Sequence, residues 1–419
     1  MDSDDSAAQK LHVLYLSQYF HPEPFLGNSV AKALVERGHT VSAVTCVPNY
    51  PTGSFLPGYS NGLNRSETWE GVKVRRAWTI APGRSRVRLL LNYLTYPVTA
   101  SWEIMRLGRP RGDVSFAFMP SPIFQALAGT FAKWVFGIPS VLWVQDIWPD
   151  SAVVTLGIRN RFTKTILDVI CGWIYRRADL VMVQSDAFIE RIAQLGVDPD
   201  KLVTVPNMAP PGFAALEQHQ VDPAIRSLVP SDRFIVMFAG NIGASQDFDT
   251  IVAAAEQLRE DPSILWVIVG SGREDQRVRD MVKAKGLEQS VLFLGRHPLE
   301  SMPSFFACAD IMLLSLTANP LFDLTVPSKL QSYMACGKPI AASLGGEGAR
   351  IIQAAGAGFS VPPGQPVRLA EMVEKFSKMH SIERNVMGAN GRRFFENHYT
   401  ANHVIDMIEA LLKLHARYS

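Results

Sequence analysis

The stretch T-V-P-S-K-L-Q-S-Y-M-A-C-G-K-P-I, residues 325–340, decides the fold of this chain. Pro327 suits the first turn of a helix, where a missing N–H costs nothing. Ser328 offers a hydroxyl and Lys329 a cation at that helix start, where unpaired backbone N–H groups already favour anions. Leu330, Tyr333 and Met334 fall at i, i+3 and i+4, so one face is apolar. Gly337 supplies the left-handed position that ends the helix. Lys338-Pro339 then leads into the apolar Ile340-Ala341-Ala342. Loop, short helix and buried strand follow in the order of an α/β unit. The helix start suits a phosphate, although an ordinary capped surface helix reads the same way in isolation.

Working outward, strand and helix alternate in two successive patterns. The first has strands at residues 11–17, 40–45, 114–118, 140–144, 180–183 and 202–205, with a Pro- and Gly-rich loop at 22–27 and a helix at 29–37 stopped by Gly38. The second has strands at 234–238, 265–269, 291–294, 311–315, 339–342 and 358–361, with helices at 248–258 and 273–285. Near-continuous apolar strands alternating with helices predict two Rossmann-like, doubly wound parallel-sheet domains. Prolines 206, 210, 211, 223 and 230 mark the linker. The expected division is a disordered polar tail at 1–10, a first domain at 11–210 and a second at 211–395. The tail from residue 381 onward reads as helical.

Bulk properties narrow the function classes. The 419 residues suffice for two or three cores, and 47% hydrophobic with 19% charged content describes an ordinary globular chain. A formal net charge of +2 argues against bulk nucleic-acid binding. Four cysteines, with no C-x-x-C pair, predict neither a zinc site nor a disulfide framework and fit a reducing cytoplasm. No signal peptide and no spanning helix are expected.

In doubly wound sheets, ligands bind beyond the carboxyl ends of strands, so the loops there carry the candidates. After the first strand, Gly27 permits close backbone approach and Asn28 or Ser29 caps the next helix; a purely structural turn would look the same. After residue 144 come Gln145, Asp146, Ile147, Trp148, Pro149 and Asp150. Asp146 could accept a proton from a hydroxyl nucleophile, or orient it. Trp148 either stacks on a sugar face or packs in the core, and Asp150 either joins the chemistry or caps a helix. In the second half, Gly240-Asn241-Ile242-Gly243 is a plausible diphosphate loop. Gly270 repeats the strand-glycine-helix pattern. Arg273, just after it, is a second-tier anion contact; Arg296 and His297 follow the strand at 291–294, and His297 reads more readily as a loop histidine than as a catalyst. Gly345-Gly346-Glu347-Gly348 reads as a flexible polar loop whose Glu347 could bond a sugar hydroxyl.

One segment of the first half stands apart. Arg75, Arg76, Arg84, Arg86 and Arg88 precede the apolar, aromatic run at 89–98, and Arg106, Arg109 and Arg111 follow it. Arginines flanking such a helix suit an anionic membrane face, while a core helix with a solvated basic collar is the alternative. Pro97 argues against a full span.

Several segments together resemble a known family: S-Q-Y-F-H-P-E at 17–23, L-V-E-R-G-H at 34–39, V-P-N-Y-P-T-G at 47–53, Q-D-I-W-P-D at 145–150, P-N at 206–207, A-G-N-I-G at 239–243, P-S-K-L at 327–330 and M-A-C-G-K-P at 334–339. The chain resembles the GT-B glycosyltransferases of retaining family 4, in the branch that builds exopolysaccharide, capsule or O-antigen units, including colanic-acid and N-acetylfucosamine transferase types. The resemblance implies an α/β fold of two Rossmann-like domains facing a cleft. It also implies that the C-terminal helix, about 396–419, packs back on the first domain. It implies a hexosyltransferase-type enzyme, a UDP- or GDP-sugar held by the second domain, no cofactor and no required metal. The implied acceptor is a glycan or polyprenyl-diphosphate-linked, reached from the cytoplasmic side of the inner membrane.

Asp146 and Lys329 are then the catalytic candidates. Gly240, Asn241, Gly243, Gly270, Arg296, Ser328, Lys329, Ser332, Gly346 and Glu347 are the donor-side candidates. Gly27, Asn28, Gln145 and Trp148 are the acceptor-side ones. This chain also departs from the family pattern. Two glutamates eight positions apart correspond to Leu324 and Ser332, with Asp323 a substitute for the first. A basic pair that grips the diphosphate corresponds to Asn241 and Gln246, and a cleft histidine to Gln145. Lys329 is left as the main cation near the phosphates. A nucleotide-sugar epimerase or a non-catalytic binding protein would share the architecture.

Overall fold

A computed structural model of the chain describes residues 9–83, 85–108, 111–158, 160–209 and 212–417. Arg84 and Arg109 of the basic segment, Pro210 and Pro211 of the linker and most of the polar tail lie outside the described residues. The chain forms two compact units, Met1–Val205 with Ile405–Ser419, and Pro206–Val404. The sequence division at 210/211 lies five residues from the first boundary, and the one near 396 about nine residues from the second.

The first unit is built on eight strands: β1 (His12–Leu16), β2 (Thr40–Cys46), β3 (Ser66–Trp69), β4 (Val72–Ala77), β5 (Val114–Met119), β6 (Ser140–Val144), β7 (Leu180–Val183) and β8 (Leu202–Thr204). Their order is β3-β4-β2-β1-β5-β6-β7-β8, and only the β3–β4 pair is antiparallel. Its helices are α1 (Leu26–Glu36), α2 (Arg86–Arg106), α3 (Ala126–Phe136), α4 (Asp150–Leu156), α5 (Arg161–Arg177) and α6 (Asp186–Ala193). Strands β5, β6 and β7 are buried at every position, as strands covered on both faces must be.

Two sequence expectations change here. No strand was expected at 66–77, because charged residues interrupt V-K-V-R-R-A. In the structure these residues form the β3–β4 hairpin, and Arg76 is 1% exposed. It ion-pairs with Glu67 and donates to the His21 carbonyl at 2.8 Å. Arg76 therefore cannot meet a membrane. Helix α1 also begins three residues early, so Gly27 lies inside it. A Cβ on Gly27 would sit 2.1 Å from the Tyr15 hydroxyl and 2.5 Å from Phe118. This glycine lets helix and sheet approach and does not open a ligand loop. Asn28 is likewise no cap: its side chain donates to the Glu23 carbonyl at 2.7 Å.

The second unit has six parallel strands: β9 (Phe234–Ala239), β10 (Ile264–Val269), β11 (Val291–Gly295), β12 (Ile311–Ser315), β13 (Ile340–Ser343) and β14 (Gly358–Val361), ordered β11-β10-β9-β12-β13-β14. Its helices are α7 (Pro223–Arg226), α8 (Phe248–Gln257), α9 (Asp275–Ala284), α10 (Met302–Ala307), α11 (Pro320–Leu324), α12 (Ser328–Ala335), α13 (Gly346–Ala355), α14 (Pro366–Lys378) and α15 (Ser381–His398). Alternate strand residues feed two cores. Met237, Val267 and Leu314 enter one, and Val236, Phe238 and Trp266 the other.

The last helix, α16 (Ala401–His415), passes into the first unit. Glu409 meets Arg37 at 2.8 Å, His39 at 3.1 Å and Lys413 at 2.8 Å. Burial alone would push its carboxyl up, but bonds from Lys413, Arg37 and His39 hold it down at about 2. These contacts fix α16 against the end of α1.

Candidate active site

Each sheet has a point where the strand order reverses, and there the loops beyond the carboxyl ends part to leave a crevice. In the second unit that point lies between β9 and β12. Helix α12 starts beside it. Tyr333 is 1% exposed, and its hydroxyl receives the Ala239 N–H at 3.3 Å and lies 3.4 Å from the Leu313 carbonyl. These bonds pin α12 to both strands. Leu330 and Met334 are buried beside Tyr333, as their spacing predicts, and Gly337 ends the helix at φ +64°.

The start of α12 is uncapped. Pro327 occupies the cap position with no side-chain bond, so the N–H groups of Ser328 and Lys329 have no intrahelical partner. Ser328 is exposed at this end. The Lys329 ammonium lies over the Phe238 ring, 3.8 Å from its centroid, and donates to Gln246 at 2.5 Å. Both partners are neutral. Burial pulls its pKa from 10.5 down to about 7. Among the described residues no carboxylate pairs with Lys329, and a lysine so placed beside an open helix N-terminus is a candidate contact for an anion.

The glycine loops support this arrangement by packing backbone on backbone. A Cβ on Gly270 would lie 1.9 Å from the Gly240 carbonyl, and one on Gly240 would lie 2.6 Å from Lys329 Cε. Gly240 N–H donates to Val269 at 2.8 Å, and Ile242 N–H donates to Ser271 at 3.0 Å. The loop N–H groups expected to cradle phosphate are thus partly committed to the neighbouring loop. Asn241 is exposed at the loop tip, and Gly243 opens a 3₁₀ turn, Ala244–Gln246, that carries Gln246 to Lys329.

Other donor-side candidates sit less directly. Ser332 is 7% exposed and its hydroxyl turns back to the Ser328 carbonyl at 3.4 Å. Arg296 is exposed beyond β11, the sheet edge, separated from β12 by β10 and β9. His297 bonds the Leu294 carbonyl and packs on Phe305, the loop-histidine reading. Residues 346–348 are not a loop. They begin α13, where Gly346 at φ +58° lets the chain pass within contact of the Asp323 backbone. Glu347 is buried in that first turn and ion-pairs with Arg350 at 2.7 Å.

In the first unit the reversal lies between β1 and β5. Gln18 N–H donates to Gln125 at 2.9 Å, and the Gln18 amide donates to Asn92 at 2.6 Å, tying the loop after β1 to α2. Beyond β6, the Gln145 backbone carbonyl accepts from Gln184, while its side-chain Nε2 is buried with no partner among the described residues. Burial raises the Asp146 carboxyl above the ordinary value, against the opposing pull of Ser151, Ser121 and Trp148. Trp148 is 6% exposed between Tyr93 and Phe124, with its indole N–H on Ser121 at 3.1 Å. It is a core residue and offers no sugar platform. Asp150 begins α4 and pairs with Arg191 at 2.7 Å.

Two family models match this chain, one described as glycosyl transferase 4-like domain over residues 28–208 and one as glycosyl transferases group 1 over residues 224–394. The chain joins a glycosyl transferase 4-like domain to a group 1 glycosyl transferase domain. It is therefore an enzyme, a glycosyltransferase. Among its relatives is the putative colanic acid biosynthesis glycosyl transferase WcaI of Escherichia coli, 24% identical over 73% of this chain and 75% of that one. The probable glycosyltransferase WbjE of Pseudomonas aeruginosa is 27% identical over 67% and 71%. Sucrose-phosphate synthase from Thermosynechococcus elongatus shares the fold, with a TM-score of 0.72 over 97% of this chain and 99% of that one at 16% identity. Anabaena HepE, solved in complex with UDP-glucose, does so with a TM-score of 0.68 over 96% and 100% at 16% identity. The fold of this glycosyltransferase is thus GT-B.

Sequence reasoning missed Phe238 and gave Gln246 only as a lost charge. Phe238 reads as one more apolar strand residue. Gln246 is 83 residues from Lys329, and no local pattern links them. Among the described residues, no group of three His, Cys, Asp or Glu is placed to hold a metal ion.

Proposed function

We propose that this glycosyltransferase moves a sugar, with retention at the anomeric carbon, from a UDP- or GDP-sugar to a glycan or polyprenyl-diphosphate-linked acceptor in surface polysaccharide assembly. The observation that carries the reading is Lys329, a partly buried cation with neutral partners beside the uncapped start of α12. The leaving group is a diphosphate, and its charge must be met as the glycosidic bond breaks. Lys329 and the Ser328 and Lys329 N–H groups meet it, with no metal required. The C1–O bond to diphosphate breaks, a C1–O bond to the acceptor hydroxyl forms on the same face, and the hydroxyl proton passes to the leaving diphosphate. Asp146 orients that hydroxyl, and the unpartnered Gln145 amide is a second group free to bond it. The relatives named for colanic acid biosynthesis support the polysaccharide role. A lipid-linked acceptor calls for attachment at the cytoplasmic face of the membrane, through the exposed part of segment 75–111 on α2 and without Arg76.

Proton NMR of the sugar released or transferred from UDP-glucose and GDP-mannose tests this. The expected product, sampled before mutarotation, keeps the donor's α configuration. A β product would overturn retention, and no turnover with any UDP- or GDP-sugar would overturn the donor class.

A further inference from the structure

Helices α2, α3 and α5 follow crossovers that all step the same way across the first sheet, β4 to β5, β5 to β6 and β6 to β7. Right-handed connections then lay them side by side on one face. Their contacts agree. Val98 and Trp102 of α2 and Phe131 of α3 line one groove of 590 Å³. Trp134 of α3 packs edge-to-face on Trp173 of α5 at 6.1 Å, with the Arg177 guanidinium over both rings.

The outer surface of this layer is apolar along its length. On α2, Val87, Leu90, Leu94, Val98 and Trp102 recur at helical spacing and all are exposed. On α5, Phe162, Ile166, Val169 and Ile170 do the same, with Phe162 72% exposed and Val169 62%. Trp134 bridges them at 59% exposure. An apolar surface this continuous is rare on a chain that meets only water.

The charge pattern identifies what covers it. The three helices carry two carboxylates, Glu103 and Asp168. Glu103 pairs with Arg65 at 2.5 Å and Asp168 with Arg191 at 2.9 Å. Among the described residues the exposed charges of these helices without a salt bridge are basic: Arg86 and Arg88 on α2, and Arg161, Lys164, Arg176 and Arg177 on α5. Among the described residues no helix is long and apolar enough to cross a membrane. Exposed apolar stripes edged by arginine and lysine, without free carboxylates, match an anionic lipid surface rather than a protein partner.

We propose that this enzyme docks on anionic lipid through two helices acting together, with α5 a second anchor beside α2 and Trp134 between them. This deepens the membrane reading of segment 75–111, on which it rests, and adds an element 50 residues beyond that segment's end. Adding the α5 stripe and Trp134 to the α2 stripe enlarges the apolar area buried in lipid, and binding strength scales with that area.

Co-sedimentation with phosphatidylcholine vesicles, with and without phosphatidylglycerol, tests the proposal on the full chain. The variants are Leu90→Ser with Leu94→Ser on α2, and Phe162→Ser with Val169→Ser on α5. All four positions are solvent-facing, and donor hydrolysis in solution reports that folding is intact. The expected result is binding that requires phosphatidylglycerol and weakens about tenfold or more in each double variant. Loss in the α2 variant with unchanged binding in the α5 variant would overturn the two-helix proposal and leave the simpler membrane reading standing. Failure of the wild type to bind would overturn both. A dimer in light scattering that the α5 variant dissolves would make this face a contact between copies of the chain, and would also overturn the proposal.

Discussion

Lys329→Met is expected to remove nearly all sugar transfer while making the second unit more stable at pH 7. Lys329 spans both effects because burial lowers its pKa to about 7. The loss of activity follows from the leaving diphosphate, whose charge then has only backbone N–H groups to meet it. Removing one such preorganised group costs about 10²–10³-fold in turnover. The gain in stability follows from linkage. The unfolded chain keeps the lysine pKa near 10.5, so it binds more protons than the folded chain between about pH 7 and 10.5. Wild-type stability therefore rises across that window. Methionine fills the same space beside Phe238 with no charge to desolvate. Its advantage is fullest at pH 7 and below, and fades toward pH 10.5. At about 1.4 kcal/mol per pKa unit the shift sets a ceiling of about 5 kcal/mol, reduced by the lost contacts to Gln246 and Phe238. Calorimetric unfolding at pH 7 and 10, beside a transfer assay, measures both. A variant that keeps its activity, or unfolds earlier than wild type at pH 7, would show that Lys329 is there for the fold.

The second large effect is expected from Asp146→Asn, where turnover falls about 10²–10⁴-fold while the donor dissociation constant stays within about twofold. Asp146 belongs to the first unit, and the residues read as holding the diphosphate belong to the second. Its carboxyl is raised above the ordinary value by burial. Wild-type activity should therefore fall with acid at a pH above that of an exposed aspartate, and the asparagine variant should lack that limb. A raised carboxyl pKa also means that the charge costs folding free energy at neutral pH. Asparagine should then leave the melting temperature unchanged or higher. Donor titration and initial rates from pH 4 to 8 separate the cases. Equal loss of donor affinity and turnover would make Asp146 a structural residue.

The second sheet was legible in the sequence because its strands are short apolar runs set off by glycine. Residues 311–315 and 358–361 are strands with the bounds their composition predicts. The β3–β4 hairpin was not legible. Its inward Arg76 hides the two-residue period, and the Glu67 that pairs with it sits on another strand. Gly27 shows a second limit. A glycine before a helix suggests a ligand loop, but the reason for this one is Tyr15 and Phe118, distant in the chain. Lys329 was legible as a cation at a helix start. Its lowered pKa was not, because that depends on Phe238 and Gln246 closing over it. The absence of the family's glutamates at Leu324 and Ser332 makes sense beside this geometry. Ser332 is a buried residue of α12 whose hydroxyl turns to the Ser328 carbonyl, and among the described residues no carboxylate pairs with Lys329.

Hydrogen exchange with and without UDP or GDP tests the donor site most directly. The expected result is protection of amides in residues 240–246 and 328–332 in wild type, absent in Lys329→Met. Nucleotide binding that leaves these two segments unprotected, or protection that persists undiminished in Lys329→Met, would contradict it.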